Sequence, residues 1–238
     1  MPTIARPIPA LGEIARVNIL IVHSHPEPAS FNGALTRAAV ASLGEAGHRV
    51  EVSDLYAMRF QPASDRSNFV TVKDAAYLKP QQEETYAAEH AGFAPELEAE
   101  MRKLEACDLL IFQFPLWWFG LPAMLKGWVD RVFAAGRFYG GGRVYATGVM
   151  RGRRAVLSFT TGGPAASYAA DGPHGDIATL LRPIQRGMLH FIGFDALRPQ
   201  VSWGPARASA SERDAMLAAW RARLAGIFDE PPMPPGSY

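Results

Sequence analysis

The sequence predicts an α/β fold, a doubly wound five-stranded parallel sheet in a single domain. Three observations carry that expectation. Continuous apolar runs such as VNILIV, LLIF and AVLSF suit strands buried on both faces. Segments with apolar residues at helical spacing separate those runs. The segments follow in the order β-α-β, a long excursion, then α-β-α-β-α-β-α, an alternation that implies parallel strands joined by crossovers.

The elements follow in order. Val17 to Val22 reads as the first strand. SFNGALTRAAVASLGEAG follows, with Leu35, Ala39 and Leu43 on one helical face, Ser30 as N-cap and glycines at its end. HRVEVSDL alternates at Val50 and Val52 like a strand. The segment from Tyr56 to Phe93 is polar and irregular and long for a connection, and long excursions are often functional or ligand-covering. PELEAEMRKLEACD places Leu97, Met101 and Leu104 on one helical face, and LLIF at Leu109 to Phe112 is the next buried strand. Leu121 to Phe133 reads as a helix, with Met124, Leu125, Trp128, Val129 and Val132 apolar, and runs into the glycine-rich GRFYGGGRVYATG. AVLSF at Ala155 to Phe159 is the fourth strand. Asp176 to Phe191 has helical character that Pro183 should kink or shorten, and His190 falls to helix packing. LRPQVSW is the weakest strand. SASERDAMLAAWRARLAGIF closes the fold as a helix, with Ser209 and Glu212 spaced as a capping box. Residues 1–16 read as an N-terminal arm, 17–230 as the folded domain and 231–238 as a proline-rich tail.

Composition sets bounds. The 238 residues carry a formal net charge of +1, which argues against a nucleic-acid partner by global charge. Cys107 is the only cysteine, so no internal disulfide forms and a reducing cytoplasm is expected. No apolar run reaches about 18 residues, so no membrane span is expected. The arm has two arginines but no continuous apolar stretch, unlike a signal peptide. No metal site is expected.

Ligands of doubly wound sheets sit beyond the carboxyl ends of the strands, near the point where strand order reverses. Three segments therefore bear the chemistry. After the first strand, HSHPEPASFNGAL sets His25, Ser30, Phe31 and Asn32 at the start of a helix, where free amides and the helix dipole favour an anion such as phosphate. By itself this reads rather as an ordinary N-cap with a surface histidine. No G-x-G-x-x-G or G-x-x-x-x-G-K-[ST] pattern occurs. After the third strand, Pro115, Leu116, Trp117, Trp118 and Phe119 offer free backbone groups and stacking faces, either a core corner or one wall of a slot for a flat ligand. After the fourth strand, Thr160 and Thr161 supply hydroxyls, while Gly162 and Gly163 let a planar ligand approach the backbone. Tyr168 and His174 lie just downstream and are placed to donate hydrogen bonds to a redox ring. A flat heterocycle with a phosphate tail satisfies all three loops, and flavin nucleotides are the natural candidates.

These motifs resemble the NAD(P)H:quinone oxidoreductase family, DT-diaphorase-like proteins of flavodoxin-like fold. FQFPLWWFGLPAMLKGWVDRVF is close to the family's central signature, and HPEPASFNGAL, AVLSFTTGG and GPHGD with RPIQRGMLHFIGF match in order and spacing. The resemblance runs from about Val17 to about Glu230 and implies a flavin-dependent two-electron reductase. Hydride would pass from NAD(P)H through bound FAD to a quinone or similar acceptor, by ping-pong turnover. The matching positions imply that His25, Ser30, Phe31 and Asn32 hold the phosphate and ribityl chain. Pro115, Leu116, Trp117, Trp118 and Phe119 would lie along the ring, with Thr160, Thr161, Gly162 and Gly163 on its other edge. Tyr168 and His174 match the catalytic pair that stabilises the reduced ring, and Arg213 an arginine near the adenine of FAD. FAD is expected rather than FMN, because Arg213 and the Tyr56–Phe93 excursion could hold an adenosine half. The resemblance also implies a homodimer with the site at its interface. Trp118, Phe119, His174 and Tyr139, the last from the partner subunit, would line the substrate pocket. Two positions depart from the best-known members: Trp117 replaces a glutamine, and Gly141 replaces a second pocket tyrosine. The alternative is an electron carrier or ancillary regulatory flavoprotein that acts through a protein partner.

Overall fold

The computed structural model describes residues 16–234. Parallel strands β1 (Asn18–His23), β2 (Arg49–Asp54), β3 (Leu109–Pro115), β4 (Arg154–Thr160), β5 (Asp195–Ala196) and β6 (Gln200–Ser202) form one sheet in the order β2-β1-β3-β4-β5. The expected fifth strand, Leu197 to Trp203, forms only as β6, and the short β5 precedes it on the same edge of the sheet. β5 pairs with Arg154 and Ala155, whereas β6 pairs with Ser158 to Thr160 along the same edge of β4. Pro199 lies between the two strands, and a residue without an N–H interrupts an edge ladder.

Helices α1 (Phe31–Glu45) and α6 (Ala210–Ala225) cover one face of the sheet. Leu35, Ala39, Leu43, Trp220 and Leu224 pack there on Ile19, Ile21, Leu109, Ile111 and Val156. The other face lies under α3 (Pro95–Ala106), α4 (Ala123–Val132) and α5 (Ile177–Ile184). Leu97, Met101, Leu125, Trp128 and Leu181 meet Leu20, Val22, Leu110, Phe112 and Leu157. Successive strand residues point to opposite faces, so strands built wholly of apolar residues feed both cores.

Ser30 caps α1 by accepting from the Gly33 amide at 3.1 Å, and the Ser209–Glu212 capping box opens α6. Two helical expectations need correction. The Tyr56–Phe93 segment is not irregular throughout: it contains a 3₁₀ turn at Arg66–Asn68 and helix α2 (Pro80–His90). Asp176–Phe191 is not one α-helix. After Pro183 the backbone widens into a π-helical stretch, Gln185–His190, which accommodates the missing proline donor. The start of the proline-rich tail docks on the sheet, where the Met233 amide donates to Ala196 O at 2.8 Å. The arm and the last four residues lie outside the described residues, apart from Arg16. Among the described residues no helix is long and apolar enough to cross a membrane.

Candidate active site

Strand order reverses between β1 and β3, whose exit loops diverge to opposite faces and leave a cleft. A cavity of ≈ 670 Å³ occupies it. It is lined by His25, Ser30, Phe31 and Asn32 after β1, by Pro115, Leu116, Trp117 and Trp118 after β3, and by Thr160, Thr161 and Gly162 after β4. Arg213 joins from α6, and Pro205 and Ala206 from the loop before it. The three strand-end loops therefore meet in one space.

The polarity of that space follows from strand alternation. The face toward α1 reads Ile19-Ile21-His23 on β1, Leu109-Ile111-Gln113 on β3 and Val156-Ser158-Thr160 on β4. Each strand turns from apolar to polar as it reaches its carboxyl end. His23 is buried, its Nδ1 2.9 Å from Thr36 Oγ1, and burial lowers its pKa against the opposing pull of Asp54. Gln113 Nε2 donates to Asn32 Oδ1 at 2.9 Å, and Asn32 Nδ2 donates to Thr160 Oγ1 at 2.9 Å. All three side chains are buried. Asn32 therefore lines the cavity as expected, and with both ends of its amide engaged it also ties β3 and β4 to the start of α1.

The β3 exit is strained. Pro115 ends the strand, although Leu116 N still donates to Thr160 O at 2.8 Å. Trp118 and Phe119 follow with φ of 51° and 59°. Left-handed backbone costs a non-glycine residue roughly 1–2 kcal/mol, and such outliers gather at ligand clamps. Trp118 is 97% exposed, and nothing among the described residues covers it. Trp117 leans toward His25, with ring centroids 6.0 Å apart. His25 Nδ1 lies 3.0 Å from the Glu27 amide nitrogen and 3.2 Å from the Glu27 carbonyl oxygen, which hold the ring against its own loop.

The β4 exit is held by Thr161, whose hydroxyl donates to Gly163 O at 2.8 Å and accepts from the Gly204 amide at 3.2 Å. A Cβ built on Gly162 would meet nothing within 4 Å, so this position faces open cavity rather than packed protein. Gly163 lies just outside the cavity, where a Cβ would sit 3.7 Å from the Tyr168 ring.

Phe119, Tyr168 and His174 form a ring cluster beside the cavity. Centroids lie 5.3 Å apart for Phe119–His174 and 5.0 Å for Tyr168–His174. Trp203 backs Tyr168 at 5.4 Å. Tyr168 is buried and His174 exposed.

Tyr139 stands apart from this group. It lines a second cavity of ≈ 340 Å³ with Glu84, Met188 and Phe191. Burial raises the Glu84 carboxyl, although the Ala135 amide donates to it at 2.7 Å, and burial with Glu84 alongside raises the Tyr139 phenol. The Tyr56–Phe93 excursion supplies none of the first cavity's lining. It is pinned on α4 instead: Arg131 bonds Gln61 O and Asn68, and Gly127 lets Pro62 approach where any Cβ would lie 2.3 Å from Pro62 O. Pro205, Ala206 and Arg213 extend the first cavity at its far end. Cys107 is buried with its thiol pushed up to about 12, unsuited to chemistry at neutral pH. No cluster of metal ligands occurs among the described residues.

Sequence reasoning passed over Gln113, Trp203, Pro205 and Ala206. Gln113 had a readable signal, as a lone amide within the otherwise apolar LLIFQFP. Trp203 ends the weakest expected strand, Pro205 and Ala206 follow it, and none of the three had such a signal.

Residues 17–224 match a family described as having a flavodoxin-like fold, Flavodoxin_2. The chain is 44% identical over 215 residues to the NAD(P)H dehydrogenase [quinone] 1 of Cavia porcellus, across 90% of this chain and 78% of that protein. It is 43% identical over 222 residues to the ribosyldihydronicotinamide dehydrogenase [quinone] of Homo sapiens, across 93% and 96% respectively. A crystal structure from Klebsiella pneumoniae, provisionally assigned as a quinone reductase, superposes with a TM-score of 0.89 at 38% identity, covering 92% of this chain and 87% of the other.

Proposed function

Because the chain belongs to the NAD(P)H:quinone oxidoreductase family of flavodoxin-like fold, we propose that it is a flavin-dependent two-electron reductase of quinones and similar acceptors. The observation that carries this reading is the single ≈ 670 Å³ cavity built from three strand-end loops, within the range of cofactor sites. Its contents fit a flavin nucleotide. The α1 N-terminus with Ser30 and His25 suits a phosphate. Trp117 and Leu116 give apolar walls, and the open face of Gly162 admits a ring against backbone. The continuation past Pro205 and Ala206 to Arg213 supports FAD over the shorter FMN.

A flavin held there would supply two-electron chemistry between a dihydronicotinamide and a quinone. The protein's part is placement and electrostatics. Phe119 and Trp118, left uncovered in strained backbone, provide a stacking surface for whichever partner enters, so donor and acceptor alternate in one slot. Tyr168 is fixed by Trp203 and His174 by the Phe119–Tyr168 cluster. Their polar hydrogens oppose the negative charge that develops as electrons arrive, a preorganised role. The uncovered aromatic surface also supports a homodimer, in which Tyr139 of the partner subunit closes the slot. A single buried thiol suits a cytoplasmic setting.

Stopped-flow reduction tests this reading. Mixed with NADPH alone, the wild-type protein should lose flavin absorbance before any acceptor is added, then regain it with menadione. His174→Ala and Tyr168→Phe should each slow the first phase about 10-fold, the modest end for such groups. Unchanged rates in both variants remove the assignment. A first phase that requires the acceptor removes the shared slot.

A further inference from the structure

We propose that Gln113 is a positioning residue that fixes the direction of a buried hydrogen-bond relay, so that the Thr160 hydroxyl donates into the cavity, to an acceptor atom of the bound ligand. Gln113 is 1% exposed, in a strand otherwise wholly apolar. Its Nε2 lies 2.9 Å from Asn32 Oδ1. An amide nitrogen only donates, so the Asn32 oxygen is held at that end and its nitrogen is turned toward Thr160. Asn32 Nδ2 then meets Thr160 Oγ1 at 2.9 Å, and the hydroxyl oxygen must be the acceptor there. The Thr160 O–H is left to donate elsewhere. No protein acceptor takes it among the described residues, and Thr160 lines the cavity. A buried donor without a partner is costly, and a ligand oxygen or ring nitrogen relieves that cost. The relay makes this part of the wall a donor, suited to the oxygen-rich flavin nucleotides. Thr160 was readable as a cavity hydroxyl, but the direction of its hydrogen depends on a residue that touches no ligand.

The inference rests on the reading of the cavity as a flavin site. The test uses the full chain freed of flavin and titrated with FAD by fluorescence quenching, with melting temperatures recorded alongside. Thr160→Val should raise the Kd about 10-fold, the worth of one hydrogen bond. Gln113→Leu, apolar like its neighbours on β3, should raise it by a similar factor without touching the ligand. The double variant should lose no more than Thr160→Val alone, and Thr160→Ser should restore the wild-type Kd. A purely structural role for Gln113 gives losses that add in the double variant. That result, or a wild-type Kd for Gln113→Leu, overturns the relay. Failure of the wild-type chain itself to take up FAD overturns the flavin reading instead.

Discussion

Asn32→Asp should leave the purified protein colourless. In the native chain the Asn32 amide receives a hydrogen from Gln113 and gives one to Thr160 at the N-terminus of α1. A carboxylate of the same shape keeps the Gln113 bond, but it accepts from Thr160 instead of donating. It also sets a negative charge beside the amides that would receive a phosphate. Like charges brought together on binding cost several kcal/mol, and each 1.4 kcal/mol is tenfold in affinity, so retention should fall by about 100-fold or more. The packing is isosteric, so the far-ultraviolet circular dichroism should stay native. A yellow Asn32→Asp protein with the wild-type Kd for FAD would place the phosphate elsewhere.

Trp128→Ala should cause the largest loss of stability. Trp128 is fully buried on α4 and packs edge-on against Phe112 and Phe133, each at 5.8 Å between centroids. Its Nε1 donates to Glu100 at 2.8 Å, and Glu100 is itself fully buried. Truncation opens a cavity worth about 3–5 kcal/mol and removes a partner from a buried carboxylate. For a chain of this size the melting temperature should fall by roughly 10 °C. α4 follows directly on the Trp117–Gly120 turn, so the flavin Kd should weaken as well. Trp128→Phe keeps most of the packing and should lose about 1–3 kcal/mol, the share owed to the lost donor. A fall below about 3 °C for Trp128→Ala would mean that Trp128 does not anchor this helix.

How far the sequence disclosed the fold depended on what each element buries. β1, β3 and β4 bury aliphatic and aromatic side chains on both faces, and an apolar run is the direct trace of that. Ser30 and Ser209 are local signals that need no tertiary knowledge, and both cap their helices. Helix α2 was not legible, because the residues it buries are Glu83, Glu84 and Ala87. Glu83 accepts from the Lys73 and Asp74 amides, and Glu84 from that of Ala135. A helix fixed by carboxylates that satisfy loop amides carries no apolar stripe for periodicity to find. The short β5 was hidden for a similar reason: it contributes two residues, too few for any pattern.

In the site, the three loops were readable from the rule that ligands lie beyond strand carboxyl ends. The links between the loops were not. Gln113, Asn32 and Thr160 are 81 and 128 residues apart along the chain in their two bonds, and only the parallel register brings them together. Strand alternation pointed the right way, since His23, Gln113 and Thr160 fall on one face at one edge.

The central claim is that one cavity, assembled from the loops after β1, β3 and β4, holds a flavin nucleotide. The most direct measurement is to denature the purified wild-type chain, separate whatever is released and identify it by chromatography and absorbance, after incubation with FAD and FMN together. One FAD per chain is the result expected. A chain that retains neither flavin after removal of the excess contradicts the claim.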